Sequence, residues 1–226
     1  MTPPRQFYLK TGLHVPFIAP WSAETPLPYE ITKKVRPDGR EGIGYTDELS
    51  HADRRNSNLW VRWPALRGRG KPDLAAIHPL RQRQAMSHML CMVCGNSTFN
   101  DDFRRWGHRH LFIARAVEGH PIRDGEVTDT PPVCLPCAVE SVDACPHLRK
   151  GHTAALVERA EPWGVAGIVY DPRTLRRIPA PADKELTEVA DEDPAICWTL
   201  AARDLVALTG CTPVDLNDLA ALSTAA

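Results

Sequence analysis

Cys91-Met92-Val93-Cys94-Gly95 and Cys134-Leu135-Pro136-Cys137 are two C-x-x-C pairs with 39 residues between them. Each pair lets one tight turn deliver two sulfurs to one ion, and four thiolates at about 2.3 Å satisfy tetrahedral zinc. The chain has seven cysteines, an odd number, and four of them fall in these pairs, a pattern of metal binding rather than of a disulfide framework. Gly95 permits the positive φ and close backbone approach that a cysteine knuckle needs. Cys91, Cys94, Cys134 and Cys137 are therefore the expected ligands of one Zn²⁺. Four thiolates leave no open position for water or substrate, so the metal is expected to be structural. The competing reading is a redox-active C-x-x-C. The first pair follows a helix rather than opening one, so it lacks the dipole that lowers a thiol pKa.

Cys145 lies eight residues beyond Cys137, about 12 Å along a straight helix, too far to share the ion. It reads as a buried thiol, with His147 a surface residue or an outer neighbour of the site. Cys197 and Cys211 read as small hydrophobes.

Outward from the cysteines, 226 residues with 43% hydrophobic and 24% charged content suit one large domain or two small ones. No apolar run approaches the roughly 20 residues of a membrane helix, and no signal-peptide core follows the N-terminus, so a cytoplasmic protein is expected. The net charge of -1 hides an asymmetry. His51 to Arg115 holds twelve Arg and Lys against four Asp and Glu, while Ala180 to Ala226 holds two against nine. The split suggests a basic working face and an acidic tail, or two solvated faces that neutralise each other. Arginine outnumbers lysine 21 to 6, a compositional bias that carries no function.

Residues 1–48 form a proline-rich arm, with Pro3-Pro4, Val15-Pro16, Ala19-Pro20, Thr25-Pro26, Leu27-Pro28 and Pro37-Asp38-Gly39. Proline fixes φ and removes a ladder donor, so the arm should be extended and irregular. A zinc-binding core is expected over 49–177, an acidic linker over 178–194 and a helical pair over 195–226. Within the core, strands are expected at Asn58–Trp63, His110–Val117 and Trp163–Tyr170, and a turn-rich return over Gly119–Asp129. Helices are expected at Pro79–Leu90 and Pro136–Ala144. In the pair, Trp198, Ala201, Leu205 and Leu208 mark one stripe of a helix from Pro194 to Thr209 that Gly210 caps. Thr212-Pro213-Val214-Asp215 opens the second helix.

The order of knuckle, strands and cysteine-bearing helix resembles a treble-clef zinc finger over about residues 91–145. The resemblance implies an α+β fold, with a β-hairpin within 106–130 and the second pair at the first turn of a helix. The long insertion between the pairs departs from that pattern. The strings Cys-x-Val-Cys-Gly, Pro-Pro-Val-Cys-Leu-Pro-Cys-Ala and Cys-Pro-His-Leu-Arg-Lys-Gly also resemble paired-C-x-x-C proteins of actinobacteria and actinophages, which implies a phage or mobile-element setting. Treble clefs include the HNH nucleases, which use a general-base His on the hairpin and a helix His beside a catalytic metal. Here His108, His110 and His120 are the hairpin candidates, and Asp101, Asp102 and Asp129 the carboxylates. The helix 136–144 carries no His, His147 lies beyond Pro146, and Thr130-Pro131-Pro132-Val133 stands where an Asn-Leu is usual. No catalytic residues are assigned.

Two binding readings remain. Arg81, Arg83, Arg104, Arg105, Trp106 and Arg109 would form a basic, aromatic-bearing face beside the knuckle that contacts nucleic acid. Alternatively, zinc holds a small fold that meets a protein partner. The leading expectation is a non-catalytic structural-zinc accessory or regulatory protein contacting nucleic acid or a nucleic-acid-processing partner. The alternatives are a protein-interaction adaptor and a divergent HNH-like nuclease.

Overall fold

The computed structural model describes residues 4–36, 38–116, 120–182 and 184–224. Pro3, Pro37, Val117 and Gly119, which the sequence reading assigns to the arm, a strand end and a turn, lie outside the described residues. In chain order the elements are β1 (Ile31–Val35), β2 (Glu41–Tyr45), α1 (Ser50–Asp53), β3 (Arg54–Arg55), β4 (Asn58–Trp60), α2 (Pro79–His88), α3 (Asp101–Arg105), β5 (His110–Arg115) and β6 (Val127–Thr128). Then come α4 (Leu135–Ala144), β7 (His152–Val157), β8 (Arg159–Val169), β9 (Thr187–Ala190), β10 (Thr199–Thr209), β11 (Thr212–Val214) and α5 (Leu216–Thr224).

Among the described residues, three sheets organise this α+β fold. One is the β1–β2 hairpin, one has the order β11-β7-β5, and the largest runs β3-β4-β10-β8-β9 with β6 also on β10. The sheet of β11, β7 and β5 divides two cores through the two-residue alternation of its strands. Leu111, Ile113, Ala154 and Leu156 face a cluster with Cys91, Cys94, Cys137, Trp106 and the α5 residues Leu216 and Leu219. The intervening Phe112, Ala155 and Val157 face Met86 of α2 and Val206 and Leu208 of β10. The four paired cysteines thus lie in one core, and the long β8–β10 ladder backs the other.

β10 corrects the expected C-terminal helical pair. Pro194–Trp198 is a single 3₁₀ turn, and Thr199–Thr209 is an eleven-residue strand, antiparallel to β8 and parallel to β4. The helical stripe misleads because both faces of this strand are covered. Leu200 packs with Ile43, Tyr45 and Leu59, while its neighbour Ala201 packs with Trp60, Val165 and Ile196. Register shifts between Ala201 and Arg203 and between Leu205 and Val206 break the remaining alternation. A strand buried on both faces carries a near-continuous apolar run, and Leu and Ala in such a run score as helix. Thr212-Pro213-Val214, expected as a cap, is an edge strand on β7, and α5 starts only at Leu216.

Two further differences follow from long-range pairing. The stretch expected as the acidic linker contains β9, which pairs with β8. Among the described residues, the strands expected to form a hairpin between the cysteine pairs find other partners: β5 pairs with β7, beyond α4, and β6 pairs with β10. The helices expected around the cysteines form, as α2 and α4.

The proline-rich arm ends in the β1–β2 hairpin, whose Ile43 and Tyr45 are fully buried. Its earlier part runs across the knuckle, where Phe17 N donates to Val93 O at 2.8 Å and Ile18 N to Met92 O at 3.3 Å. A buried ion pair fastens it. Arg81 of α2 grips Glu24 of the arm through two 2.7 Å bonds, and also donates to the carbonyls of Phe17 and Ala19. Glu24 further accepts from the backbone N–H groups of Trp21 and Leu66 at 2.8 Å each. These bonds hold the Glu24 carboxyl below its ordinary range although burial acts the other way.

Removing one partner of such a pair leaves an uncompensated buried charge. Arg81→Ala is expected to cost about 3–5 kcal/mol. Chemical denaturation checks this, and a loss below about 1 kcal/mol would show that the pair does not hold the arm.

Candidate metal centre

Each sulfur is positioned by backbone that the local sequence dictates. α2 ends at Met89 in the left-handed region (φ 47°), and Leu90 and Ser97 bridge to close a short knuckle. Gly95 N–H donates to Cys91 O at 2.7 Å and Cys91 N–H to Asn96 O at 2.8 Å, so the turn folds back over its own cysteines. Gly95 has φ 72°, and a Cβ there would lie 2.7 Å from Cδ2 of Phe17 in the arm. Glycine is thus needed twice, for the turn and for the arm above it. On the other side, Cys134 is the N-cap of α4, Pro136 sits in the first turn, and Cys137 follows one turn on. The two halves are joined directly, because Met92 N–H donates to Pro132 O at 2.9 Å.

The four sulfurs lie within 4.8 Å of one another, and the Cys94–Cys134 and Cys91–Cys134 separations are 3.8 and 3.6 Å. Tetrahedral zinc with bonds of about 2.3 Å requires about 3.8 Å between sulfurs, so the donor set fits that ion in number, chemistry and spacing. Cys91, Cys94 and Cys137 are buried and Cys134 half-buried. Hydrogen bonds from Cys134, Cys137 and Cys91 pull the Cys94 thiol well down, while Cys137, bonded to Cys134, Cys91 and Cys94, is pushed well up. Four buried thiolates repel one another, so without a cation the cluster must keep protons; a divalent ion replaces them. Among the described residues this is the sole group of three or more His, Cys, Asp or Glu side chains placed to hold a metal.

Of the six residues expected on a nucleic-acid face, Arg81 and Trp106 are buried, while Arg104, Arg105, Trp106 and Arg109 gather around one short helix. Arg81 is 4% exposed and bound to Glu24. Arg83 is half-buried with its guanidinium 4.5 Å from the Trp60 ring, and burial together with Arg55 lowers its pKa. Trp106 is 8% exposed, inside the cysteine core. Arg104 and Arg105 pair with Asp101 and Asp102 on the same short helix, and Arg109 bonds Trp106 O and Thr212 Oγ1. Other cations of the basic stretch are matched too: Arg54 by Glu48, Arg55 by Asp204, and Arg62 by Asp47 and Asp53. The acidic segment does part of this matching, through Asp204. Its Glu185 and Glu188 meet Arg203 and Lys184 instead.

The nuclease candidates are not assembled either. Asp129 pairs with Arg203 at 2.7 Å, and Asp101 and Asp102 with their arginines. His108 is exposed and stacks on Phe103. His110 is buried against Thr98 Oγ1 at 2.8 Å; that hydroxyl already donates to Met89 O, so His110 Nδ1 carries the hydrogen. Sequence reading missed the Glu24–Arg81 pair and a second long-range contact, in which Glu140 of α4 accepts from His14 N and His14 Nδ1 at 2.6 Å each. No pattern in the chain links residues so far apart.

Set against protein-family models, curated proteins and solved structures, this chain finds no match.

Cys94→Ser and Cys137→Ser are expected to lose metal and soluble fold together, read by metal analysis and circular dichroism. Folded, soluble, metal-free variants would remove the structural role. Gly95→Ala is expected to cost at least about 1 kcal/mol, since it adds an unfavourable φ to the Phe17 clash; an unchanged melting temperature would contradict the packing of arm on knuckle. Burial holds the His110 imidazole down to about 4, against 6.5 in an open chain. Between those values the unfolded chain takes up a proton that the folded chain refuses. Stability should therefore fall by up to about 3 kcal/mol as pH drops through that window, and His110→Gln should fall less steeply in melts from pH 7.5 to pH 4.5.

Proposed function

We propose that this protein is a non-catalytic adaptor, stapled by structural zinc, that works by binding a partner protein. Two features support a structural rather than a chemical metal. Four sulfurs fill the coordination sphere, and the arm lies over the knuckle, with Gln6 Nε2 donating to Cys94 O at 2.7 Å. The observation that carries the choice of partner is the internal matching of six of the twelve cations in the basic stretch. Phosphate binding draws its affinity from cations that release counterions. Here Arg54, Arg55, Arg62, Arg81, Arg104 and Arg105 already meet carboxylates of this chain. A surface built that way suits a polypeptide better than a polyanion. The phage or mobile-element setting implied by the sequence resemblance would make that partner a nucleic-acid-processing protein.

Fluorescence anisotropy of labelled duplex and single-stranded DNA with zinc-loaded protein, titrated across salt, tests the choice. Weak, salt-insensitive signals are expected. Binding that weakens steeply with salt would transfer the reading to nucleic acid, with Arg83, Arg104 and Arg109 as the residues to substitute.

A further inference from the structure

Two cavities of about 290 and 350 Å³ share Val61, Arg62, Trp63 and Pro79 as common walls, so they form one elongated groove. Three segments bound it: the arm through Pro26, Leu27 and Tyr29, the chain that continues β4, and the first turns of α2. None of its lining residues belongs to the cysteine core. Trp63, Ile77, Pro79 and Leu80 make its middle apolar, and Leu27 in its wall is 46% exposed.

The charges along the groove are uneven. Arg62 and Arg203 are held by Asp53 and Glu185, carboxylates of this chain that also line it. The arginines at its two ends are not held in this way. Arg83 lines only the first cavity and has no carboxylate at ion-pair distance among the described residues. Its guanidinium lies 4.5 Å from the centre of the Trp60 ring, where burial works against its charge. Trp60 is itself 4% exposed, and its indole N–H is buried without an acceptor. Arg177 lines only the second cavity, is exposed, and donates to the Tyr29 hydroxyl at 3.1 Å, again with no carboxylate partner among the described residues. Buried donors and cations ordinarily have acceptors, so the Arg83 end of the groove is short of one.

We propose that this groove binds an extended segment of a partner polypeptide, with an apolar side chain against Trp63 and an acidic side chain at each end, on Arg83 and on Arg177. The inference rests on the adaptor reading and names the kind of segment such an adaptor takes. An elongated slot with an apolar middle suits a chain more than a compact molecule. Carboxylates spaced along a peptide answer the two end arginines and leave Asp53 and Glu185 in their own pairs. A nucleic-acid strand carries a phosphate at every step and would set its charges against both acids.

A displayed library of random nonapeptides, panned on the zinc-loaded full chain and followed by anisotropy of the selected peptides, tests it. Enrichment of sequences with an apolar residue between two Asp or Glu is expected. Arg83→Gln should weaken the selected peptides at least about tenfold, as should exchange of their acidic residues for Asn or Gln. Leu27→Glu, at an exposed position, should weaken them too and keep zinc and melting temperature; where Arg83→Gln lowers the melting temperature, Leu27→Glu decides. No enrichment of acidic peptides, or selected peptides that these variants leave unaffected, would overturn the proposal. Peptides unaffected by the variants would leave the adaptor reading standing, whereas salt-steep DNA binding that Arg83→Gln abolishes would overturn both.

Discussion

Four sulfurs from two segments must share one buried point, and the lobe around them is arranged to allow it. Thiolates inside an apolar cluster repel one another and lack water, so the arrangement is tenable only with a cation at its centre. The Cys91 and Cys94 pair needs a knuckle that turns on Gly95, and the Cys134 and Cys137 pair needs a helix N-terminus. A metal held by these four sulfurs would join the turn to the helix, beside the surface on which β5 and β7 lay Leu111, Ile113, Ala154 and Leu156. Binding energy of the metal thereby acts as folding energy for a cluster that includes Trp106 and α5.

The arm extends this constraint instead of merely surrounding it. It adds two backbone hydrogen bonds to the knuckle and packs Phe17 where only glycine leaves room. The buried Glu24–Arg81 pair then ties the arm to α2, the helix that delivers the chain to Cys91. Its desolvation cost is offset by the bidentate geometry and by the backbone donors and acceptors around it. A basic residue that looked suited to phosphate thus serves the fold. The same holds for Arg54 and Arg62, each bound to carboxylates nearby in sequence.

The division of the chain between two cores also shapes its candidate sites. The four-cysteine cluster lies inside one core and is largely buried. The groove along Trp63 exists because the arm, the chain after β4 and the first turns of α2 meet there. None of these segments forms that groove alone.

By itself the sequence determined which four cysteines gather into one cluster, the helices that flank them and the need for glycine after Cys94. Those features are local: a C-x-x-C turn, a proline in a first helical turn and a positive φ are written in a few consecutive residues. Only the tertiary structure decided that Thr199–Thr209 is a strand, because β4 and β8 pair along its edges while the β1–β2 hairpin and Met86 of α2 pack on it, all far away in the chain. It also decided that Arg81 is buried and that β5 seeks β7 rather than a hairpin partner. Charge and periodicity say what a residue can pair with, but which partner arrives is settled by long-range packing.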